Sequence, residues 1–325
     1  MVAAPAPSLR VVFFGTPAFA VPTLDALAHS AHRVVAVISQ PDRPHGRGQR
    51  VSDAPVKARA RELGIPVLQP ERLKEPAFLD ALAQLKPDLG VVAAYGRLLP
   101  PAVLDLPRLG LINVHASLLP KYRGAAPVHR AVMAGEHETG VTIMRIVQAL
   151  DAGAMLASRR RSIGPDDTSD EVERDLAVLG ADLLVEVADR VAAGPIEEIP
   201  QDDRLTTYAS RLSRQDSIID WTRPAHAIHN QVRGLHPWPL ASTFLGGRRV
   251  IIRRTAVVRG PAGAAPGTIV EAAGETLRVA TGDGTILILD IQPEGKRPMH
   301  AREFLAGHTV HAGTAFQPPP DTGGA

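Results

Sequence analysis

Apolar positions follow two different patterns along this chain, and the change between them predicts two domains. In the first, short apolar runs alternate with segments of helical spacing. Leu9-Arg10-Val11-Val12-Phe13-Phe14 predicts a strand ending at Gly15-Thr16-Pro17, and Phe19, Leu24 and Leu27 follow in a helix. Residues 34–38 form the next apolar run, succeeded by a polar loop, 40–53. Helix is expected over 54–63 and 76–85, with a short strand at 66–68 between them. The stretch 88–94, DLGVVAA, is apolar throughout, as expected of a strand covered on both faces. Residues 111–114 repeat that character; 126–134 read as helix, 139–146 and 155–163 as strands, and 169–191 as a long amphipathic helix. Strands alternating with helices predict an α/β fold built on a Rossmann-like, doubly wound parallel sheet.

Gly194-Pro195 breaks this pattern, and the polar residues 195–210 read as a linker. A short helix then opens at Pro224, with Ala225, Ile228, Val232 and Leu235 on one face, and ends at His236-Pro237-Trp238-Pro239. From Leu240 the spacing is that of strands and turns: a Gly246-Gly247 turn, apolar positions over 250–258, 267–271 and 277–279, an Asp283-Gly284 turn, and 286–291. Five short strands in about a hundred residues predict a small OB-like β-barrel. The expected organisation is a catalytic domain over 1–194, the linker, a second domain over 211–316, and a disordered Pro- and Gly-rich tail over 317–325.

Composition narrows the chemistry. At 325 residues the chain exceeds one comfortable core. It contains no cysteine, which excludes disulfides, thiolate metal sites and a cysteine nucleophile. No apolar stretch approaches the length of a membrane span, and MVAAPAPSLR lacks the apolar region of a secretory signal, so a cytoplasmic protein is expected. The net charge is only +2, but its distribution is uneven. Arg43, Arg47, Arg50, Lys57, Arg59 and Arg61 face only Asp42 and Asp53, and Arg248, Arg249, Arg253, Arg254 and Arg259 have no acid among them. Two such patches point to a polyanionic partner; a solvated Arg-rich surface is the alternative.

The densest chemistry lies in Gly110 to Gly124, GLINVHASLLPKYRG. In a strand, Asn113 and His115 share one face near its carboxyl end, where open parallel sheets border their ligand crevice. An amide donor and an imidazole can there serve one reacting centre. A strand-capping histidine and a turn asparagine are the structural alternative. Asp151, a lone carboxylate in a Gly-containing loop, is the candidate to orient His115.

Other chemistries have less support. Gly15-Thr16-Pro17-Ala18-Phe19-Ala20 lacks the glycines of a dinucleotide fingerprint, and no Walker A sequence occurs. Ser117 lies outside any G-x-S-x-G elbow and only two residues from His115, which disfavours a hydrolase relay. The His226/His229 and His308/His311 pairs lack a third metal ligand in a recognisable pattern, so no metal is expected.

Asn113-x-His115, Ser117-Leu118-Leu119-Pro120 and the later Asp151 resemble the active site of the 10-formyltetrahydrofolate-dependent formyltransferases. Phe14-Gly15-Thr16-Pro17, the 40–48 block QPDRPHGRG, Ala93-Ala94-Tyr95-Gly96, Arg123-Gly124-Ala125-Ala126-Pro127 and Glu138 to Met144 resemble the branch acting on methionyl-tRNA. So do Ile219-Asp220-Trp221, Pro237-Trp238-Pro239 and Thr281-Gly282-Asp283-Gly284; the similarity runs from about residue 9 to about 310. The triple Arg159-Arg160-Arg161 matches no motif of that family.

The resemblance implies catalytic positions at Asn113, His115 and Asp151, and folate binding by Ser117, Leu118, Leu119 and Pro120. It implies that the 40–53 loop, with Arg43, enters a tRNA acceptor stem while the barrel holds the tRNA from outside. Arg43, Arg47 and Arg50, with Arg248, Arg249 and Arg253, are then the tRNA-binding candidates. The expected partners are initiator Met-tRNA and folate, with no membrane partner, and the expected state is a monomer. Formyl transfer to a small amine (glycinamide ribonucleotide or an amino sugar nucleotide), hydrolysis of the donor, and non-catalytic tRNA binding are the alternatives. None of the first two needs the basic loop or the barrel, and the last leaves Asn113, His115 and Asp151 without purpose.

Overall fold

The computed structural model describes residues 7–42, 44–45 and 50–319. Its contacts divide the chain into two units. The first comprises 1–127, 138–162 and 173–209; the second comprises 128–137, 163–172 and 210–325.

The first unit is built on seven strands: β1 (Arg10–Gly15), β2 (Arg33–Ile38), β3 (Val67–Leu68), β4 (Leu89–Ala93), β5 (Leu111–His115), β6 (Glu138–Arg145) and β7 (Met155–Ser162). Their order across the sheet is β7-β6-β5-β4-β1-β2-β3. The chain winds outward from β1 through β2 to β3, then returns to β4 on β1's other side and continues to β5, so the sheet is doubly wound. The β1/β4 boundary is its switch point, where a crevice opens at the carboxyl ends of parallel strands. One edge differs from the all-parallel expectation. β6 runs antiparallel to β5, and β7 antiparallel to β6. The apolar run expected to be covered on both faces is so: every residue of β4 is buried.

Prolines set where several helices begin. α1 (Val21–Ala28), α2 (Pro55–Glu62) and α3 (Pro76–Gln84) each carry one in their first two positions, where a missing N–H costs no intrahelical bond. Phe14, Tyr95, Phe78 and Leu82 share a core with Val12, Ile38 and Val103, and the rings of Phe14 and Tyr95 meet edge to face, 5.5 Å between centroids. The long helix α5 (Ser169–Ala193) follows α4 (Pro127–Ala134) in the chain. At Gly180, α5 lies so near the sheet that an added Cβ would sit 2.7 Å from Val114 Cγ1 and 3.2 Å from Val141 Cγ1.

Arg159, Arg160 and Arg161 lie on the edge strand β7. Alternation sends them to opposite faces. Arg159 pairs with Glu186 and Arg161 with Asp175, both on α5, whereas Arg160 pairs with Glu138 on β6. A charged edge of this kind resists pairing with a foreign strand.

The second unit contains α6 (Ala225–Gly234) and an antiparallel sheet of β8 (Ala241–Leu245), β9 (Arg248–Val258), β10 (Ile269–Ala273), β11 (Thr276–Ala280) and β12 (Thr285–Pro293), followed by α7 (Ala301–Gly307). The order is β8-β9-β12-β11-β10. Residues 313–317 close it: Ile269 N–H donates to Thr314 C=O, and Phe244 and Gln317 exchange backbone bonds. That segment therefore touches both outer strands, giving the barrel the strand spacing predicts. Inside, Ile252, Leu277, Val279, Ile286, Ile288 and Ile291 are fully buried, and Trp221 stacks on Phe316 while its indole N–H donates to Thr243. Gln317, where a disordered tail was expected to begin, is paired; residues 320–325 of that expectation lie outside the described residues.

Close packing at Gly180 should be sensitive to volume. Gly180→Val is expected to destabilise the chain by about 1–3 kcal/mol, the usual cost of overpacking a fitted interface. Denaturant unfolding of the variant beside the wild type measures it.

Candidate active site

β5 brings Asn113 and His115 to the carboxyl end of the sheet, on the strand beside the switch-point strand β4. Asn113 is half-buried and His115 buried. Among the described residues the Asn113 side-chain amide has no hydrogen-bond partner, so both its donors and its acceptor are available.

The imidazole is held from one side. His115 Nε2 lies 3.0 Å from the carbonyl oxygen of Tyr122. A carbonyl only accepts, so Nε2 carries the proton and donates, which leaves Nδ1 as the other nitrogen of the neutral ring. That Nδ1 faces Asp151, with 3.8 Å to its Oδ2. The separation exceeds a hydrogen bond, yet it is short enough for the carboxylate to stabilise a proton arriving on Nδ1. The same Oδ2 accepts from the backbone N–H of Gly124 at 2.8 Å. His115 and Asp151, separated by the whole of α4 and β6 in sequence, are thus joined through a three-residue stretch, Tyr122 to Gly124.

Both ends of that stretch have left-handed backbone: φ is 61° at Tyr122 and 120° at Gly124. Glycine is required at 124, since a Cβ there would lie 2.8 Å from the Ala209 carbonyl oxygen. The stretch is pinned by Arg123–Gly124 pairing in parallel with Tyr208–Ala209, by Tyr122 N–H donating to Thr207 Oγ1, and by Arg123 N–H donating to Thr207 C=O.

The loop 117–120 is shaped from within. Ser117 Oγ donates to the Lys121 carbonyl at 2.6 Å, so its proton is held by a carbonyl rather than by His115. Thr142 on β6 braces the loop twice: its hydroxyl donates to Ser117 C=O at 2.8 Å and accepts from Leu119 N–H at 3.2 Å. Ser117 and Leu119 are buried, whereas Leu118 and Pro120 are half-buried and retain some exposed surface. The turn after β4, the strand beside β5, has left-handed backbone at Ala94 and Gly96, and Gln40 Nε2 donates to the carbonyl between them, that of Tyr95, at 2.6 Å. Leu98, just beyond, is 76% exposed.

The arginine candidates are placed unevenly. Arg43 and Arg47 lie outside the described residues, and of Arg50 only the backbone is described, paired with His45. The root of that loop is fixed by Lys57, which pairs with Asp42 and, at 2.9 Å, with Asp53. The Lys57 ammonium holds the Asp42 carboxyl below the usual range. In the second unit, Arg248 and Arg249 make no ion pair or hydrogen bond through their side chains among the described residues, nor does Arg259. Arg253 donates to Gln292 at 3.3 Å, and Arg254 lies 3.6 Å from Asp290. The two histidine pairs gather no third ligand: among the described residues no group of three potential metal ligands occurs. His229 is instead bonded to Thr255 and the Pro165 carbonyl.

Tyr122, Gly124, Thr142 and Gln40 lie within stretches the sequence marked out, but no pattern assigned them an individual role. Only Gly124 carried a signal, as a glycine closing a charged turn; Tyr122 acts through its backbone carbonyl, and Thr142 and Gln40 act through side chains bound to backbone groups, which no side-chain motif reveals.

The chain matches the formyl transferase family over residues 9–188 and the formyl transferase C-terminal domain over 211–309. It is 46% identical to the methionyl-tRNA formyltransferase of Citrifermentans bemidjiense over 94% of this chain and 95% of that protein. It is 47% identical to the methionyl-tRNA formyltransferase of Methylococcus capsulatus, over 93% of this chain and 98% of that one. Among solved structures it resembles the N-formyltransferase of Helicobacter canadensis, crystallised with folinic acid and dTDP-3-aminofucose, with a TM-score of 0.66 and 20% identity over 88% of this chain and 99% of that one. It also resembles HypX of Aquifex aeolicus, crystallised with tetrahydrofolic acid, with a TM-score of 0.63 and 17% identity over 92% of this chain and 47% of that one.

Removing the Thr142 hydroxyl deprives two buried backbone groups of their partner. Thr142→Val is expected to cost about 1–3 kcal/mol of stability, more than an ordinary surface substitution. Thermal unfolding reads the loss directly.

Proposed function

This chain belongs to the formyl transferase family, and on that premise we propose that it moves the formyl group of 10-formyltetrahydrofolate onto the α-amino group of methionine carried by initiator Met-tRNA. The relatives that align with it along both units are methionyl-tRNA formyltransferases, which favours this acceptor over a small amine. The observation that carries the chemistry is the placement of Asp151 Oδ2 3.8 Å from His115 Nδ1, two residues along β5 from an Asn113 amide that has no partner among the described residues.

The reaction needs little activation of its nucleophile. An α-amino group titrates near pH 7.7–8.0, so roughly a tenth or more is already free base at neutrality. Attack forms a bond from the amine nitrogen to the formyl carbon and puts negative charge on the formyl oxygen. The Asn113 amide N–H groups are free to donate to that oxyanion. His115 Nδ1 takes the proton the amine sheds, and Asp151 stabilises the resulting imidazolium. Collapse breaks the bond from carbon to the donor nitrogen, which receives the proton back. No covalent enzyme intermediate is required, in keeping with a Ser117 hydroxyl already committed to the Lys121 carbonyl.

The donor's place is the crevice at the switch point. Leu118 and Pro120, after β5, and the exposed Leu98, after β4, offer apolar surface to a flat heteroaromatic ring. The acceptor's polyanionic body is met by Arg43, Arg47 and Arg50 of the basic loop and by Arg248, Arg249 and Arg253 of the barrel. The division of labour assigns residues 1–194 to catalysis, 211–316 to tRNA binding and 195–210 to the connection, although 195–209 group by their contacts with the first unit. The protein acts as a cytoplasmic monomer; among the described residues no helix is long and apolar enough to cross a membrane.

The deciding assay incubates the protein with 10-formyltetrahydrofolate and charged initiator or elongator Met-tRNA and looks for formyl-methionine. Failure on both would return the reading to a small amine. Asn113→Ala, His115→Ala and Asp151→Ala are each expected to slow single-turnover transfer by about 100-fold or more; near wild-type rates for all three would sink the assignment. Removing Arg248 and Arg249 together is expected to reduce the slope of log affinity for tRNA against log salt by about 1–2. Donor binding should be unchanged in that variant, and an unaltered salt slope would remove these arginines from the tRNA interface.

A further inference from the structure

The polar residues 195–209 belong, by their contacts, to the first unit, and they lie along the machinery just described. Met155 and Ile199 exchange backbone hydrogen bonds at 2.8 and 2.9 Å, and Tyr208–Ala209 pairs with Arg123–Gly124. Between these two ties stands Gln201. Its Nε2 donates to the carbonyl oxygens of Asp151 and Gly153, both at 2.8 Å. Its Oε1 accepts from Arg123 Nε at 2.9 Å, and the same buried guanidinium reaches Asp203 through Nη2 at 2.9 Å. The arrangement leaves one orientation for the amide, because a flip would set its NH2 against the guanidinium and its oxygen against two carbonyls.

The loop that Gln201 grips needs holding. Asp151 has a φ of 47°, a left-handed conformation that a non-glycine residue keeps only where its surroundings impose it. Two residues on, a Cβ at Gly153 would come within 1.9 Å of the Arg145 carbonyl oxygen, so the loop is pressed against the end of β6 with no side chain to anchor it there. Leu150, the neighbour on the other side, is 49% exposed and supplies no anchor either. The two bonds from Gln201 fall on the carbonyls of residues 151 and 153, at the point where the backbone turns the carboxylate toward Gly124 N–H and His115.

We propose that Gln201 is a positioning residue for the reaction: by holding the backbone of residues 151–153 it keeps the Asp151 carboxylate facing His115 Nδ1, without itself touching either substrate. The inference rests on the reading of Asp151 as the partner of His115 in proton transfer.

The test is single-turnover transfer from 10-formyltetrahydrofolate to Met-tRNA by the full chain. It compares the wild type, Gln201→Ala, Gln201→Glu, Asp151→Asn and the double variant Gln201→Ala/Asp151→Asn. Loss of both donors is expected to slow the saturated rate of Gln201→Ala about 10- to 100-fold, the scale of a misplaced catalytic group. Half-saturating concentrations of donor and tRNA should stay within about twofold of wild type, since binding is not the step affected. Gln201→Glu keeps an acceptor for Arg123 but cannot donate to the two carbonyls and sets an oxygen against them, so it should be at least as slow as Gln201→Ala while retaining a cooperative melt. It decides the matter if the alanine variant does not fold. In the Asp151→Asn background, Gln201→Ala should add less than about threefold, because the group it positions is already disabled. A slow Asp151→Asn with wild-type rates for Gln201→Glu overturns the proposal alone, and so does an equal loss from Gln201→Ala in both backgrounds. A near wild-type rate for Asp151→Asn overturns the role of Asp151 and the proposal with it.

Discussion

One short run of backbone fixes the two groups on which the proposed chemistry depends. The Tyr122 carbonyl holds His115 by its Nε2, and the Gly124 N–H holds Asp151 by its Oδ2. Both are main-chain groups, so their separation is set by covalent geometry and by two left-handed residues rather than by flexible side chains. The consequence is directional. With Nε2 spoken for, the ring presents Nδ1 to the carboxylate, and the tautomer that accepts a proton there is imposed before any substrate arrives. In a chain with no cysteine, and with the Ser117 hydroxyl held by the Lys121 carbonyl, the proposed chemistry relies on such preorganisation.

The sheet supplies the rest of the frame. β5 is bonded to a parallel neighbour, β4, on one side and to an antiparallel one, β6, on the other. That switch of direction has a use: β6 delivers Thr142 beside the 117–120 loop and ends where the Asp151 loop begins. Loop, strand end and carboxylate are therefore consecutive outcomes of one strand reversal. The close approach of α5 at Gly180, against Val114 between Asn113 and His115, backs the same strand from behind.

Much of this was legible in the chain. The alternation of apolar runs and helical segments led to the doubly wound sheet, and the strand-and-turn spacing after Leu240 led to the barrel. Asn113 and His115 were legible because a strand's two-residue period puts i and i+2 on one face. Asp151 was nominated by its surroundings, and its meeting with His115 depended on how a loop folds over a strand end, which no local pattern encodes. Gln201 was invisible for a different reason. It bonds to backbone carbonyls, which every residue has, so nothing in the sequence of residues 151–153 calls for a glutamine fifty positions later. The antiparallel course of β6 and β7 was missed because the side-chain pattern of a strand reads the same in either direction.

Charge needs the same separation of pattern from placement. Arg159-Arg160-Arg161 is the densest cationic run in the chain, yet each member has a carboxylate partner, on α5 or on β6. Such arginines have their charge locally compensated, and their recruitment to a phosphate would first require breaking an existing pair. Arg248 and Arg249 sit at a tight turn between two antiparallel strands, with no acid paired to either side chain among the described residues. A cation in that state has only water and counterions to give up, and phosphate affinity is gained through the release of those ions. On a protein of net charge near zero, attraction to a polyanion depends on where compensation is missing rather than on how many arginines occur. Arg248 and Arg249, at the β8–β9 turn, are therefore better placed for the proposed contact with tRNA than the longer run on β7, although the sequence makes the latter more conspicuous.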